Sequence, residues 1–329
     1  MKKLFVGIDV SKDVFDFCVI NEDHQVLVSK GKFPNSIDGI NDLCSFIKSF
    51  KDYEPWYCLE HTGYYGALLS SEFAKRNLCY SLINPLEIKL SIGIARGKND
   101  TIDAYRIANY GVVNTFKLEK FILPTEHIQK LKALMTIRDG YSKILVQLKN
   151  SHKAFLILGE TIDLKEQINE NELLIKNQEL AIKKVEKEMN FIIKSNMELT
   201  EKYDKVTKVI GVGPLTAIKC IIETENFTKF VNGRKFSCHC GLAPFEYSSG
   251  SSVRGRTRTS VLSNKSLKSI FYKAACTAIQ HDPQLKNYYS RKLQEGKHKL
   301  SIINAVANKI VLRVFAVVKR NEPFVKFSA

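Results

Sequence analysis

Four carboxylates in the first third of the chain and a serine- and arginine-rich segment in the last third are the residues whose types and spacing could do chemistry together. Asp9 follows the apolar run Leu4-Phe5-Val6-Gly7-Ile8, Glu60 closes Trp56-Tyr57-Cys58-Leu59, and Asp100 and Asp103 open an amphipathic stretch. Carboxylate oxygens that converge on two hard cations about 3.5–4 Å apart can stabilise the attacking and leaving oxygens at phosphorus, which is metal-assisted chemistry on a phosphodiester. Asp100 and Asp103 are i,i+3 neighbours, so in a helix they leave one face roughly 5–6 Å apart and repel until a cation joins them. Each acid also has a local alternative. Asp100 could be an N-cap with Asp103 in the first turn. Asp9 could cap a turn, and Asp13 or Asp16 could be named in its place on local grounds. Glu60, followed by His61, is harder to explain locally, because a carboxylate ending an apolar strand needs a partner.

The downstream segment runs Tyr247-Ser248-Ser249-Gly250-Ser251-Ser252-Val253-Arg254-Gly255-Arg256-Thr257-Arg258 and reads as a loop. Ser-Ser-Gly stretches usually form turns in which the hydroxyls bond nearby backbone. Arg254, Arg256 and Arg258 alter that reading, since guanidinium forks clamp phosphate oxygens bidentately and stabilise charge on a transferring phosphoryl group. A serine so placed could be a nucleophile. Upstream, Val209-Ile210-Gly211-Val212-Gly213-Pro214 resembles the hairpin of helix-hairpin-helix modules, where glycines let backbone N–H groups approach a DNA phosphate. A tight turn between two helices explains the same residues. Gly211, Gly213 and Lys265 join the three arginines as candidate nucleic-acid contacts.

Those residues need elements to position them. Residues 4–10, 14–20 and 25–33 alternate as short strands with turn residues between them, an antiparallel meander. The pattern then predicts a helix over 37–50, a strand at 56–59, a helix over 64–76, a strand at 79–83 and a helix beyond Pro85. Three hairpin strands followed by alternating helices and strands is the order of a ribonuclease-H-like α/β domain. The middle is helical. Ile175, Ile182, Met189 and Asn196 at a, with Gln178, Val185, Ile192 and Leu199 at d, make a candidate coiled-coil seam. A long amphipathic helix packed on its own chain explains it equally. Helical patterns close the chain around 267–279 and 302–319. The expected organisation is α/β plus α: a catalytic domain over 1–125, a helical connector over 126–203, and a mainly α basic domain over 204–329.

At 329 residues, with 44% hydrophobic and 26% charged content, the chain can bury two cores and is not disordered overall. Its net charge of +16 is unevenly placed: 22 of the 50 Lys+Arg but only 7 of the 34 Asp+Glu lie from Asp204 onward, leaving the first 203 residues near neutral. A one-sided positive field suits a polyanion. No uncharged apolar run reaches the roughly 18 residues that span a bilayer, and Met1-Lys2-Lys3 leads straight into a strand, so a soluble cytoplasmic protein is expected. The eight cysteines are scattered through apolar runs and read as reduced core residues. Cys238-His239-Cys240 lacks a second ligand pair at zinc-finger spacing.

In combination, Phe5-Val6-Gly7-Ile8-Asp9-Val10-Ser11-Lys12, Glu60-His61-Thr62-Gly63, Arg96-Gly97-Lys98-Asn99-Asp100-Thr101-Ile102-Asp103-Ala104, Gly241-Leu242-Ala243-Pro244 and Ser248–Gly255 resemble the DEDD transposases of the insertion-sequence-110 type, the group that includes the Piv pilin-gene invertases. The resemblance runs from about residue 4 to 320 with the motifs in the family's order. It implies a RuvC-like N-terminal domain, a coiled-coil connector and a C-terminal transposase domain. It implies that Asp9, Glu60, Asp100 and Asp103 bind Mg²⁺, with Mn²⁺ as a substitute. It also implies that Ser249, with Ser248 competing, attacks DNA to form a phosphoserine link. The implied partners are element-end and target DNA, a guide RNA encoded by the element, and further copies of the chain in a dimer or tetramer. A RuvC-like resolvase using only metal-activated water would share the acids and survive loss of Ser249. A sugar-kinase or actin-like ATPase would need a second Gly-rich nucleotide loop, and a non-catalytic DNA binder would keep salt-sensitive binding after loss of Asp9.

Overall fold

The computed structural model describes residues 2–61, 63–91, 100–249, 253–259, 262–320, 322 and 324, with backbone alone for 100, 101, 246–249 and 253–258. The chain divides into two compact units, Met1–Leu123 and Pro124–Ala329.

In the first unit the alternating apolar runs form strands β1 (Lys2–Val10), β2 (Val14–Asn21) and β3 (Val26–Pro34). Asn21 closes the β2–β3 turn, its side-chain oxygen accepting from the backbone N–H of Asp23 and Gln25 at 3.1 and 2.8 Å. Then come α1 (Ile37–Lys48), capped by the Ser36 hydroxyl at Gly39 N–H, β4 (Tyr53–Glu60), α2 (Ala67–Lys75), β5 (Tyr80–Ile83), α3 (Pro85–Ser91) and α4 (Asp100–Val113). The five strands form one sheet in the order β3-β2-β1-β4-β5. β1, β4 and β5 run parallel, and β2 and β3 are antiparallel to their neighbours. Pro55 sits where β4 pairs only with β1, short of the Tyr57–Glu60 stretch that β5 joins, so its missing N–H costs no ladder bond there.

Strand alternation assigns the two faces of this sheet. Leu4, Val6, Ile8 and Val10 pack with Tyr57 and Leu59 against Ile40, Leu43, Ile47, Leu69 and Phe73, on the face covered by α1 and α2. Phe5, Cys18, Ile20, Cys58 and Ile83 pack on the other face against Ala104, Ile107 and Ala108 of α4. Tyr110 donates to Glu87 Oε2 at 2.7 Å and so fastens α4 to α3.

The second unit begins with α5 (Glu126–Leu158) and α6 (Lys165–Ser195), two long helices joined by a short turn. They lie side by side, held by Arg138–Glu186 and Lys149–Glu179 ion pairs and by Gln178 donating to the Tyr141 carbonyl at 3.0 Å. The heptad seam of α6 is therefore covered within the chain. Ile182, Met189 and Ile192 are buried, and Asn196 occupies no a position: its extended backbone ends α6 and its side chain caps α7 (Met197–Thr207) at Leu199 N–H. A continuous heptad through residue 199 is interrupted because Asn caps better than it continues a helix.

The base of the α5–α6 pair packs on α8 (Pro214–Glu223) through Leu131, Met135, Ile193, Ile218 and Ile221. Then follow α9 (Gly233–His239), β6 (Pro244–Ser249), β7 (Val253–Thr259), α10 (Lys265–His281), α11 (Pro283–Gln294) and α12 (Lys299–Arg320) around a core containing Val206, Phe236, Leu242, Phe271, Ile310 and Val314. The helical connector and the basic region thus belong to one compact unit. By length and composition α12 alone among the described helices is apolar enough to cross a membrane, although Lys309 and Arg313 interrupt its apolar run. Its apolar stripe of Ile302, Val306, Ile310, Val311, Val314 and Val317 is buried against its own unit, as in a core helix of a globular protein.

Candidate active site

Asp9 lies two residues beyond Gly7 on β1, and Glu60 two residues beyond Cys58 on β4, so both leave the sheet on the α4 face. β1 and β4 are parallel neighbours with Ile8 opposite Leu59, so the two half-buried acids end adjacent strands side by side. Helix α4 runs back along β1. A methyl on Gly111 would meet Phe5 Cδ1 at 3.1 Å and Cys58 Sγ at 2.7 Å, and one on Gly7 would meet the Ala104 carbonyl oxygen at 2.4 Å and Ala108 N at 2.2 Å. Two residues of strand advance about 6.6 Å, and four residues of helix about 6 Å. The Gly7 contact with Ala104 and Ala108 therefore sets the N-terminal half of α4 toward the end of β1 that carries Asp9. Gly7 is required for the close helix approach that makes this possible.

Charge around these acids is partly balanced. Arg106 donates to Asp103 Oδ1 at 2.9 Å one turn along α4, with both side chains about four-fifths buried. Asp16 stands opposite Asp9 on β2 and is buried, with Lys32 of β3 at 3.9 Å. Asp13, the other local candidate, lies in the turn before β2 and is exposed. Among the described side chains, no three His, Cys, Asp or Glu come together as a metal site; the Asp100 carboxylate lies outside them.

The segment expected as a serine loop is mostly a β-hairpin. Phe245 pairs with Arg258, Tyr247 with Gly255, Ser248 with Arg254 and Ser249 with Val253, so Ser249 is the last residue of β6 before the tip. Alternation of Arg254, Arg256 and Arg258 with small or β-branched residues suits an extended strand better than a turn. Gly250–Ser252 at the tip lie outside the described residues. The hairpin root is fixed: Leu242 is buried, its carbonyl accepts from Asn304 Nδ2 at 2.8 Å, and Lys268 Nζ donates to Thr259 Oγ1 at 3.1 Å. Gly241 takes φ +67°, and a Cβ there would lie 2.2 Å from Ser263 Oγ.

Gly211 has φ +90° and faces inward; a Cβ would lie 2.4 Å from the Ala274 carbonyl, so packing against α10 accounts for the glycine. Gly213, the N-cap of α8, has open space about its Cα. Lys265 is exposed at the first position of α10, where the helix dipole disfavours a cation unless an anion joins it.

The eight cysteines are free thiols. Burial pushes the Cys58 and Cys220 thiols up to about 12, which leaves them inert at neutral pH. His239 pairs with Glu223 at 3.5 Å and stacks between Phe230 and Phe236. Asp9, Asp13 and Asp16 are equal local candidates in the sequence; the pairing register sets Asp16 opposite Asp9 on one face and leaves Asp13 exposed in the turn.

Residues 6–158 match the family model of the IS110-type DEDD transposases, described as "Transposase", and residues 203–290 match "Transposase IS116/IS110/IS902 family". The pilin gene-inverting proteins of Moraxella bovis and Moraxella lacunata are each 25% identical over 332 residues, covering 99% of both chains. The transposase for insertion sequence element IS1111A of Coxiella burnetii is 23% identical over 350 residues, covering 97% of this chain and 90% of its own. With both domain matches in order and full-length relatives of the same kind, the chain belongs to the IS110-type family of DNA transposases.

Proposed function

We propose that this transposase recombines DNA by transesterification, with Ser249 as nucleophile and a Mg²⁺ site formed by Asp9, Glu60, Asp100 and Asp103. What supports this reading is that Asp9 and Glu60 end adjacent parallel strands on the sheet face covered by α4, whose N-terminal half, bearing Asp103, packs against β1 at Gly7. The donors are all carboxylate oxygen, the chemistry that suits Mg²⁺ or Mn²⁺. Bound there, the ion would supply charge stabilisation at phosphorus. Arg106 holds Asp103 in place, and the Asp16 carboxylate opposite Asp9 adds to the negative charge that a cation would offset. The sheet order and strand directions support a ribonuclease-H-like, RuvC-type reading of the first unit.

At the hairpin, the Ser249 oxygen would form a bond to phosphorus while the scissile P–O bond breaks, and the serine proton passes to the departing DNA oxygen. One phosphoester replaces another, so no nucleotide cofactor is needed. Arg254, Arg256 and Arg258 clamp the phosphate, Lys265 and Gly213 add backbone contacts, and Gly211 keeps the α8 turn closed. DNA ends and target are the substrates, in the cytoplasm. A guide RNA is accommodated by the same positive field. Association of several copies, with one subunit's carboxylates meeting another's serine, is consistent with the apolar residues Leu156, Ile157, Leu173 and Leu174 exposed on α5 and α6.

The decisive experiment looks for a covalent protein–DNA adduct after denaturation, in a Mg²⁺-containing reaction with element-end DNA and the RNA from its flanks. Wild type should form it, and Ser249→Ala and Asp9→Asn should not. An adduct mapped to Ser248 corrects the nucleophile. Mg²⁺-dependent cleavage that survives Ser249→Ala without any adduct would refute the serine mechanism in favour of metal-activated water. Arg254→Ala should lower recombination about 10- to 100-fold; unchanged activity removes its clamp role.

A further inference from the structure

Between α11 and α12 lies an open cleft of about 530 Å³ that belongs to neither the carboxylate face nor the serine hairpin. Its lining includes Gln284, Asn287, Tyr288, Arg291, Lys309 and Arg313, with three cations and no acid. These cations are not equivalent. Arg313 is tied into the wall: it donates to the buried Asp282 carboxylate at 2.6 Å and to the Gln284 side-chain oxygen, and it lies over the Phe324 ring at 5.2 Å. Asp282 is itself held, capping α11 at Leu285 N–H. Arg313 therefore fixes the separation of the two helices while its charge is compensated.

Lys309, one turn earlier on α12, is exposed, and among the described residues no carboxylate comes within 4 Å of its ammonium. It stands 4.7 Å from the centre of the Tyr288 ring, and the Arg291 guanidinium stands 5.8 Å from the same ring. Arg291 has only an exposed, long 3.8 Å contact with Glu295, a pair of little energetic weight. Two cations from different helices thus converge on one aromatic ring, beside the Asn287 amide and the phenol of Tyr288. A cation pair held together without an anion repels itself, so the arrangement favours an oxyanion.

We infer that the α11–α12 cleft binds a phosphodiester of a nucleic-acid strand, with Lys309 and Arg291 as its charge contacts and Tyr288 as a wall against the sugar or base. Three observations favour a strand over a free anion. The stretch from Asp204 onward carries 22 basic against 7 acidic residues. The cleft is open, and Leu285 and Leu312 give it an apolar lining that a lone phosphate would not use. Contacts of this kind fix register and orientation without reading sequence. The site is independent of the serine and carboxylate chemistry, and its two charge contacts, Arg291 and Lys309, lie past residue 290, where the second family match ends.

The test uses the full-length protein and fluorescence anisotropy with a labelled single-stranded DNA, its duplex and an RNA of the same sequence, across a KCl series. Lys309→Gln and Arg291→Gln should each weaken binding of at least one strand type about 10-fold and lower the salt slope by about one. Lys153→Gln, an exposed change on α5, should do neither. Acetylation footprinting of the wild type should show Lys309 protected by the strand. Preference for RNA or for DNA identifies which strand occupies the cleft. Unchanged affinity and slope, or a loss no greater than that of Lys153→Gln, would overturn the inference. Protection of Lys309 by millimolar inorganic phosphate equal to that by the strand would overturn it in favour of a free-anion site. Because binding is read separately from adduct formation, failure here leaves the catalytic proposal standing, and the converse holds.

Discussion

At the scale of single residues, the site depends on a residue with no side chain. Gly7 lets α4 approach β1 so closely that any Cβ would meet backbone atoms at 2.2 and 2.4 Å, contacts that no rotamer change relieves. Gly7→Ala should therefore destabilise the protein by about 2–4 kcal/mol and abolish recombination, a larger effect than most substitutions of exposed residues. Urea unfolding checks the first part, and a stability within 0.5 kcal/mol of wild type would contradict the packing argument. Arg106 acts differently. Its bond to a largely buried Asp103 makes Arg106→Ala expected to cost about 1–3 kcal/mol, because the carboxylate loses its charged partner. If the carboxylates form a Mg²⁺ site, millimolar Mg²⁺ should raise the melting temperature of Arg106→Ala by linkage; no Mg²⁺-dependent shift in either variant or wild type would count against that site.

At the scale of elements, the β6–β7 hairpin carries the proposed nucleophile and is held mainly at its root. Asn304 on α12 donates to the Leu242 carbonyl, so Asn304→Ala should reduce recombination more than it reduces stability, by releasing a hairpin whose core contacts elsewhere persist. Comparing adduct yield with the melting temperature decides it, and equal loss of both would make Asn304 merely a core contact. Near the same root, burial pushes the Glu223 carboxyl up, but hydrogen bonding and charge from His239, with Lys132 and Lys229, outweigh it and hold the group below its ordinary 4.5. A depressed carboxylate contributes stability above its unfolded value, and that contribution is lost as pH falls through the lower folded value. Glu223→Gln should therefore be slightly less stable than wild type at pH 7, by under about 1 kcal/mol. The gap should close as pH falls through the carboxyl's lowered folded value. A gap that persists at pH 3 would mean that packing, not charge, is at stake.

At the scale of the whole molecule, the charge is segregated. Nearly all of the +16 belongs to the chain from Asp204 onward, so nucleic acid should protect lysines there from acetylation and leave Lys30, Lys48 and Lys51 of the first unit reactive. Uniform protection along the chain would contradict a one-sided field. The element order of the first unit and the basic character of the last region were legible because they rest on local periodicity and on composition, which neighbours in sequence decide. Most element ends fell within about three residues of expectation because turn residues and the change from strand to helix period are local signals, whereas Asn196, expected inside a heptad run, ends α6 and caps α7.

Other features required the third dimension. The heptad pattern of α6 left its partner open, since the same stripe suits another copy or the same chain; the turn at residues 159–164 and the resulting pairing with α5 decided it. The serine segment reads as a loop because Ser and Gly dominate it, and only the ladder with β7 makes it a hairpin. Asp16 could not be ranked against Asp13 by local chemistry, because what separates them is the register that sets Asp16 opposite Asp9. The sequence by itself determined which side chains are available, which elements carry them and where the charge lies. Only the tertiary structure decided which of those side chains share a face, because pairing register and helix approach depend on contacts between residues far apart in the chain.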